Sequence, residues 1–348
     1  MSPNQHYRPN NRAPHRRNPP AENRSFIIPL IIALLGLAGG VAAIAFFMPQ
    51  SRTDTAAAQS AAAVLASSTP PAPDAYAHIS LIGKAAIVYD LTNGQTLYAQ
   101  NANAPLPLAS ITKLLTMYAA TSALSPNSSV TMTAQDLAET NDAADNGFAV
   151  GETFTFEDLA RLTLAASSNN GAEAIAEAAD QAESTNTSSL LASAATMLGL
   201  TQTAATNASG LDVNTEVSGG YGSAHDIAIL AGALTKKAPL IAEATTLPSI
   251  SITSSDGKRH TFANTDIDVT HYPGLLLSKT GYTDLAGGNL VIVYDAGINH
   301  PVAIVVLGST ESGRFTDVSQ LMRATLAHFG RTIPPIQDAT STPTNSTT

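Results

Sequence analysis

The 348-residue chain contains no cysteine and no tryptophan. Without cysteine there are neither disulfides nor thiolate metal sites, and cysteine usage says nothing about the redox compartment. Charge is scarce too: charged residues make up 13%, and 27 acids outnumber 17 bases for a formal net charge of −10. That acidic surplus argues against a nucleic-acid binder. The eight histidines include no i, i+4 pair, so no zinc site is expected. The nine tyrosines and nine phenylalanines are read as ordinary core and interface residues and are assigned no ligand. What the chain has in quantity is apolar side chain, 44%, enough to build a core at this length.

One long uncharged run stands out, the 23 residues from Phe26 to Met48, enough to cross a bilayer as a single helix. Ahead of it lie Arg8, Arg12, Arg16, Arg17 and Arg24 against one acid, Glu22. The positive-inside tendency keeps this basic arm (1–25) cytoplasmic and places everything after Met48 outside the membrane. Setting the +4 arm apart from the −10 total leaves a body near −14. A cleaved signal peptide, giving a secreted protein, is the rival reading. Its apolar core usually spans about 7–15 residues, shorter than this run, although Ala56–Ala58 offers a cleavage site. Residues 49–76 are rich in Ala, Ser, Thr and Pro and read as a flexible tether, and 333–348 as a disordered tail. The folded domain is expected over 77–332.

Within that body, two short strands are expected around Asn93-Gly94, because both turn positions tolerate positive φ. Apolar spacings of three and four then predict helices over Leu106–Ala123, Phe156–Ser167, Ala172–Ala182, Ser188–Leu198 and Ala224–Leu234. Strands return at Ser249–Thr253, His260–Asn264, Leu275–Thr280, Asn289–Asp295 and Val302–Gly308, and a helix over Thr316–Phe329 follows. The fold class is therefore mixed α/β of the α+β kind. An antiparallel sheet whose two chain-ends meet is flanked by helices, with an all-helical lobe inserted.

Three polar features contradict a plain core. Ser110 and Lys113 stand three apart among Leu108, Ile111, Leu114 and Leu115, so hydroxyl and amine share a helix face. Lysine has a free pKa of about 10.4, and desolvation or a neighbouring positive charge lowers it enough to take a serine's proton. Following Pro105 and Pro107, Ser110 should also lie in the first turns of its helix, where unpaired N–H groups favour developing negative charge. Spacing alone is weak support, since Ser255-Asp256-Gly257-Lys258 repeats it in a hairpin turn. Second, Ser167-Ser168-Asn169-Asn170-Gly171 lies between two helices, where Ser and Asn are ordinary caps. Third, Lys279-Thr280-Gly281 ends a strand, where a lysine can simply blunt an edge. Together, SxxK, SxN and KTG in this order form the signature set of the serine penicillin-recognising enzymes.

The chain resembles the low-molecular-mass D-alanyl-D-alanine carboxypeptidases over Ile82 to Phe329. The likeness runs through VYDLTNGQTLYAQNA, MLGLTQTAATNASGLD, GSAHDIAIL, SKTGYTDLAGGNLV and VVLGSTESGR. The resemblance implies the β-lactamase/DD-peptidase fold, a peptidoglycan stem peptide ending in D-Ala-D-Ala as substrate, and β-lactams as inhibitors. It also implies roles: Ser110 as nucleophile, Lys113 as general base, Ser167 as proton relay and Asn169 as a hold on the peptide backbone. Lys279, Thr280, Gly281, Tyr282 and Arg314 would bind substrate. Within that group Lys279 supplies positive charge near Ser110, Thr280 and Arg314 meet the terminal carboxylate, and the N–H of Tyr282 joins that of Ser110 in the oxyanion hole. No metal or organic cofactor is implied. Two positions depart from the family pattern: Leu108 where proline is common and Asn170 where aspartate is common.

Other readings share parts of this set. A D,D-endopeptidase would use the same residues on cross-links. A β-lactamase needs a deacylating glutamate in a loop, whereas Glu173, Glu177, Asp180 and Glu183 fall on or just after a predicted helix. A non-catalytic penicillin-binding, wall-tethering module would not need every catalytic position intact. A Ser-His-Asp hydrolase would have to use His225 and Asp226, which read more simply as a helix start, and no G-x-S-x-G elbow is present.

Overall fold

Asn93-Gly94 reverses the chain between β1 (Ala85–Asp90) and β2 (Gln95–Gln100). Gly94 takes φ +75°, and Asn93 Oδ1 accepts from Gln95 N at 2.8 Å, the local bond that makes Asn a turn former. The computed structural model describes residues 74–138 and 147–331, all within one compact unit. The basic arm, the apolar run 26–48, most of the tether and the tail lie outside the described residues. Among the described residues no helix is long and apolar enough to cross a membrane.

The remaining strands of the main sheet are β3 (Leu275–Thr283), β4 (Gly287–Asp295) and β5 (Pro301–Ser309). The sheet order is β3-β4-β5-β1-β2 and every pairing is antiparallel, so the first hairpin closes against the last strand as expected. Period-2 alternation divides the sheet into two faces. Leu290, Ile292, Val302, Ile304 and Val306 pack with Val318, Leu321 and Met322 of the closing helix α6 (Gly313–His328). Val291, Val293, Ala303 and Val305 face the larger core, shared with helices α1 (Thr112–Ala123), α2 (Phe156–Ala165), α3 (Asn169–Glu183), α4 (Thr187–Met197) and α5 (Ala224–Lys237).

One expected element differs where it matters. The segment from Leu106 does not begin as a helix: Leu106–Pro107 pairs with Tyr221–Gly222, Ala109–Ile111 forms a single 3₁₀ turn, and α1 starts only at Thr112. Pro105 and Pro107 lack N–H groups, and Ala109 is held at φ +48°, a left-handed conformation that no α-helix continues through. Short elements that periodicity did not reveal also occur, among them the antiparallel strand pair Ser129–Thr131/Thr153–Thr155 and the helices Ala134–Ala138 and Pro239–Ala244.

Candidate active site

Ser110 sits in the 3₁₀ turn and Lys113 in the first turn of α1, where residues three apart eclipse one another. Lys113 is fully buried and its Nζ lies 2.8 Å from Ser110 Oγ. The same Nζ donates to Asn169 Oδ1 at 2.7 Å and to the Ser209 carbonyl at 2.8 Å. Asn169 is brought there by the start of α3, whose N-cap is Ser168, with Oγ accepting from Gly171 N at 3.0 Å. Ser167 precedes the cap in a left-handed conformation, φ +60°, which turns it away from both helices. Its Oγ accepts from Lys279 Nζ at 2.8 Å. The polar cluster therefore both caps a helix and presents two side chains to the site.

Lys279 comes from β3, is 1% exposed, and also donates to the Thr280 carbonyl at 2.8 Å. Burial is the largest cause holding its amine well below the usual lysine range; the positive charges of Lys113 and Arg314 push the same way, and Asp266 opposes them. Arg314, on α6, donates from Nη1 to the Gly281 carbonyl at 2.9 Å, and burial lowers its pKa. Tyr282 is about half exposed at the rim. Gly281 packs against the serine's turn: a Cβ there would lie 2.8 Å from the Leu108 carbonyl oxygen and 3.2 Å from Ile111 N. All nine expected site residues thus converge where the helical lobe meets the edge of β3. The repeated spacing at Ser255–Lys258 does not join them. It stays in its hairpin, with Lys258 paired to Glu152 at 2.9 Å. Among the described residues no group of His, Cys, Asp or Glu is placed to hold a metal.

Residues 70–311 match the family described as D-alanyl-D-alanine carboxypeptidase. The chain belongs to that family. It is 32% identical over 252 residues to D-alanyl-D-alanine carboxypeptidase DacB2 of Mycobacterium tuberculosis, covering 72% of this chain and 82% of that one. Against D-alanyl-D-alanine carboxypeptidase DacF of Bacillus subtilis the identity is 29% over 243 residues, 69% of this chain and 61% of that one. Among solved structures, penicillin-binding protein D2 of Listeria monocytogenes in its ampicillin-bound form superposes with a TM-score of 0.61 at 27% identity. That likeness covers 71% of this chain and 98% of the other.

Both departures from the family pattern have local reasons. Leu108 donates its N–H to the Gly220 carbonyl at 2.9 Å, a bond proline cannot make. Asn170 is buried and donates from Nδ2 to the Asp136 carbonyl at 2.7 Å, holding the helix 134–138 against α3. Three further residues escaped the reading of the sequence. The Ser209 carbonyl accepts from Lys113. Thr265 Oγ1 is 2.6 Å from Thr280 Oγ1, and its N–H donates to the Ala165 carbonyl at 3.1 Å, tying the KTG strand to the end of α2. Asn289 grips the chain just ahead of Ser110. Ser209 and Asn289 stand inside TNASGLD and SKTGYTDLAGGNLV, the conspicuous stretches, but no rule of spacing marks them.

Proposed function

We propose that this family member removes the terminal D-Ala from peptidoglycan stem peptides through an acyl-enzyme on Ser110. The observation that carries the reading is the 2.8 Å contact of a fully buried lysine amine with Ser110 Oγ. Asn169 offers its amide oxygen and Ser209 its carbonyl, and both accept. A neutral Lys113 amine spends its two N–H bonds on these acceptors, and its lone pair then faces the serine O–H. Ser110 gives its proton to Lys113 as Oγ bonds to the carbonyl carbon of the penultimate D-Ala. Lys113 and Lys279 disfavour each other's charge, so with the shared proton on Lys279 the Lys113 amine is the neutral base. The positive charge then favours the negative charge growing on the carbonyl oxygen, which the N–H groups of Ser110 and Tyr282 receive. As the C–N bond breaks, the proton passes through Ser167 to the leaving amine. Water then adds to the ester, freeing Ser110 and the shortened peptide. Lys279, Thr280 and Arg314 supply the charge and hydroxyl that suit the substrate's carboxylate.

β-Lactams would acylate the same serine. Glu173, Glu177, Asp180 and Glu183 all lie on α3, and Glu173 accepts from Ser209 N at 3.1 Å, so none is a loop residue of the kind a fast deacylating β-lactamase uses. Residues 26–48 are proposed as the anchor that holds the catalytic body outside the cell membrane; 23 uncharged residues behind five arginines support this. The test of function is release of D-Ala from a stem pentapeptide. Ser110→Ala is expected to lower it by on the order of 10³-fold or more, and unchanged release would refute the proposal.

A further inference from the structure

Asn289 lies on β4 directly across the ladder from Gly281, and it is completely buried. Its Nδ2 donates to two successive carbonyls, those of Pro107 and Leu108, both at 3.0 Å. Its Oδ1 accepts from Gly308 N at 2.7 Å. One side chain therefore joins β4, the end of β5 and the chain immediately before the nucleophile. The Leu108 carbonyl belongs to the peptide unit that links Leu108 to Ala109. Fixing the plane of that peptide fixes φ of Ala109, which stands at +48°. A residue with a Cβ adopts that region only where its surroundings hold it there. The same carbonyl oxygen also accepts from Ile111 N at 3.2 Å, which closes the 3₁₀ turn around Ser110. On its other side it lies against Gly281, where any Cβ would come within 2.8 Å.

We infer that Asn289 is a positioning residue for the nucleophile, acting through the Leu108–Ala109 peptide to hold Ser110 at its distance from Lys113 and from β3. The inference rests on the reading of Ser110 as nucleophile. Asn289 is buried beneath the turn rather than lining the cleft, so its loss alters the rate of bond formation and leaves binding largely intact.

The experiment measures acylation by a fluorescent penicillin, separating the limiting acylation rate constant from the apparent dissociation constant, together with kcat and KM for D-Ala release. Four proteins are compared: the wild type, Asn289→Ala, the double variant Asn289→Ala/Ala109→Gly, and Val293→Ala. The last truncates a core residue on the same face of β4 without touching the turn. Asn289→Ala is expected to lower the acylation rate constant and kcat by on the order of 10²-fold, with dissociation constant and KM within about threefold of wild type. Glycine adopts positive φ without being held, so Ala109→Gly is expected to restore at least roughly tenfold of that loss. If Asn289→Ala does not accumulate as folded protein, Asn289→Ser keeps one donor and is expected to fall between wild type and the alanine variant. Rates for the Asn289 variant within about twofold of Val293→Ala would overturn the positioning role. A wild type that is never acylated would instead overturn the reading of Ser110.

Discussion

Ser167, Ser168 and Asn169 are chemically similar neighbours with different duties, and the difference is measurable. Ser168 is wholly buried and its hydroxyl accepts the cap bond from Gly171 N. Ser168→Ala is expected to cost about 1 kcal/mol of stability, roughly 2–4 °C in Tm, with D-Ala release unchanged. Ser167→Ala is expected to keep Tm and lose activity; thermal melts and the D-Ala assay on both variants check this. Lys279 carries the opposite compromise. Its folded pKa lies below the unfolded value near 10.5, so below about pH 10.5 the unfolded chain binds a proton that the folded site disfavours. Native stability is therefore lost as pH falls from that value toward the folded pKa, and above both values Lys279 contributes nothing. Lys279→Met is expected to raise Tm at pH 7, with the gain vanishing as pH approaches 10.5, while acylation is abolished. Melts across that range test it, and a destabilised Met variant at pH 7 would contradict it. Lys113 was legible in the sequence because a lysine in an apolar run is costly unless the fold uses it, and Lys279 because KTG completes the set begun by SxxK and SxN. Asn289 and Thr265 were not, because their partners are remote in sequence and an Asn or Thr on a strand breaks no local rule.

At the scale of elements, the site depends on how closely β3 approaches the turn 109–111. Gly281→Ala would bring a Cβ to 2.8 Å from the Leu108 carbonyl and push the two apart. Acylation by penicillin is expected to fall by on the order of 10²-fold, measured against Ser255→Ala in the hairpin that repeats the Ser-x-x-Lys spacing, which is expected to match wild type. Long elements were readable because their periods are strong: α2, α5 and the strands β4 and β5 fall where apolar spacing put them, within a few residues. The start of α1 was misread for a physical reason. Its apolar pattern runs back to Leu106, but pairing with Tyr221–Gly222 and the left-handed Ala109 divert the chain first. Elements of three to six residues, such as Ser129–Thr131 and Pro239–Ala244, are too short to establish a period.

The whole molecule joins its first hairpin to its last strand, so the lysine of β3 and the serine ahead of α1 meet across the helical lobe inserted between them. That meeting was foreshadowed by the order of strands and helices, since an early hairpin and late strands with helices between leave one economical antiparallel sheet. The proposed anchor gives an expectation at this scale: deleting residues 26–48 moves the protein from the membrane fraction to the soluble fraction with D-Ala release retained. A deletion protein that stays with membranes would contradict the anchor. The proposed reaction itself is covalent. The most direct measurement is intact mass spectrometry of wild type and Ser110→Ala after exposure to a penicillin. The wild type is expected to gain the mass of one β-lactam, mapped to Ser110 and persisting for minutes, and Ser110→Ala to gain none. An adduct on Ser110→Ala, or an unlabelled wild type, would contradict the account.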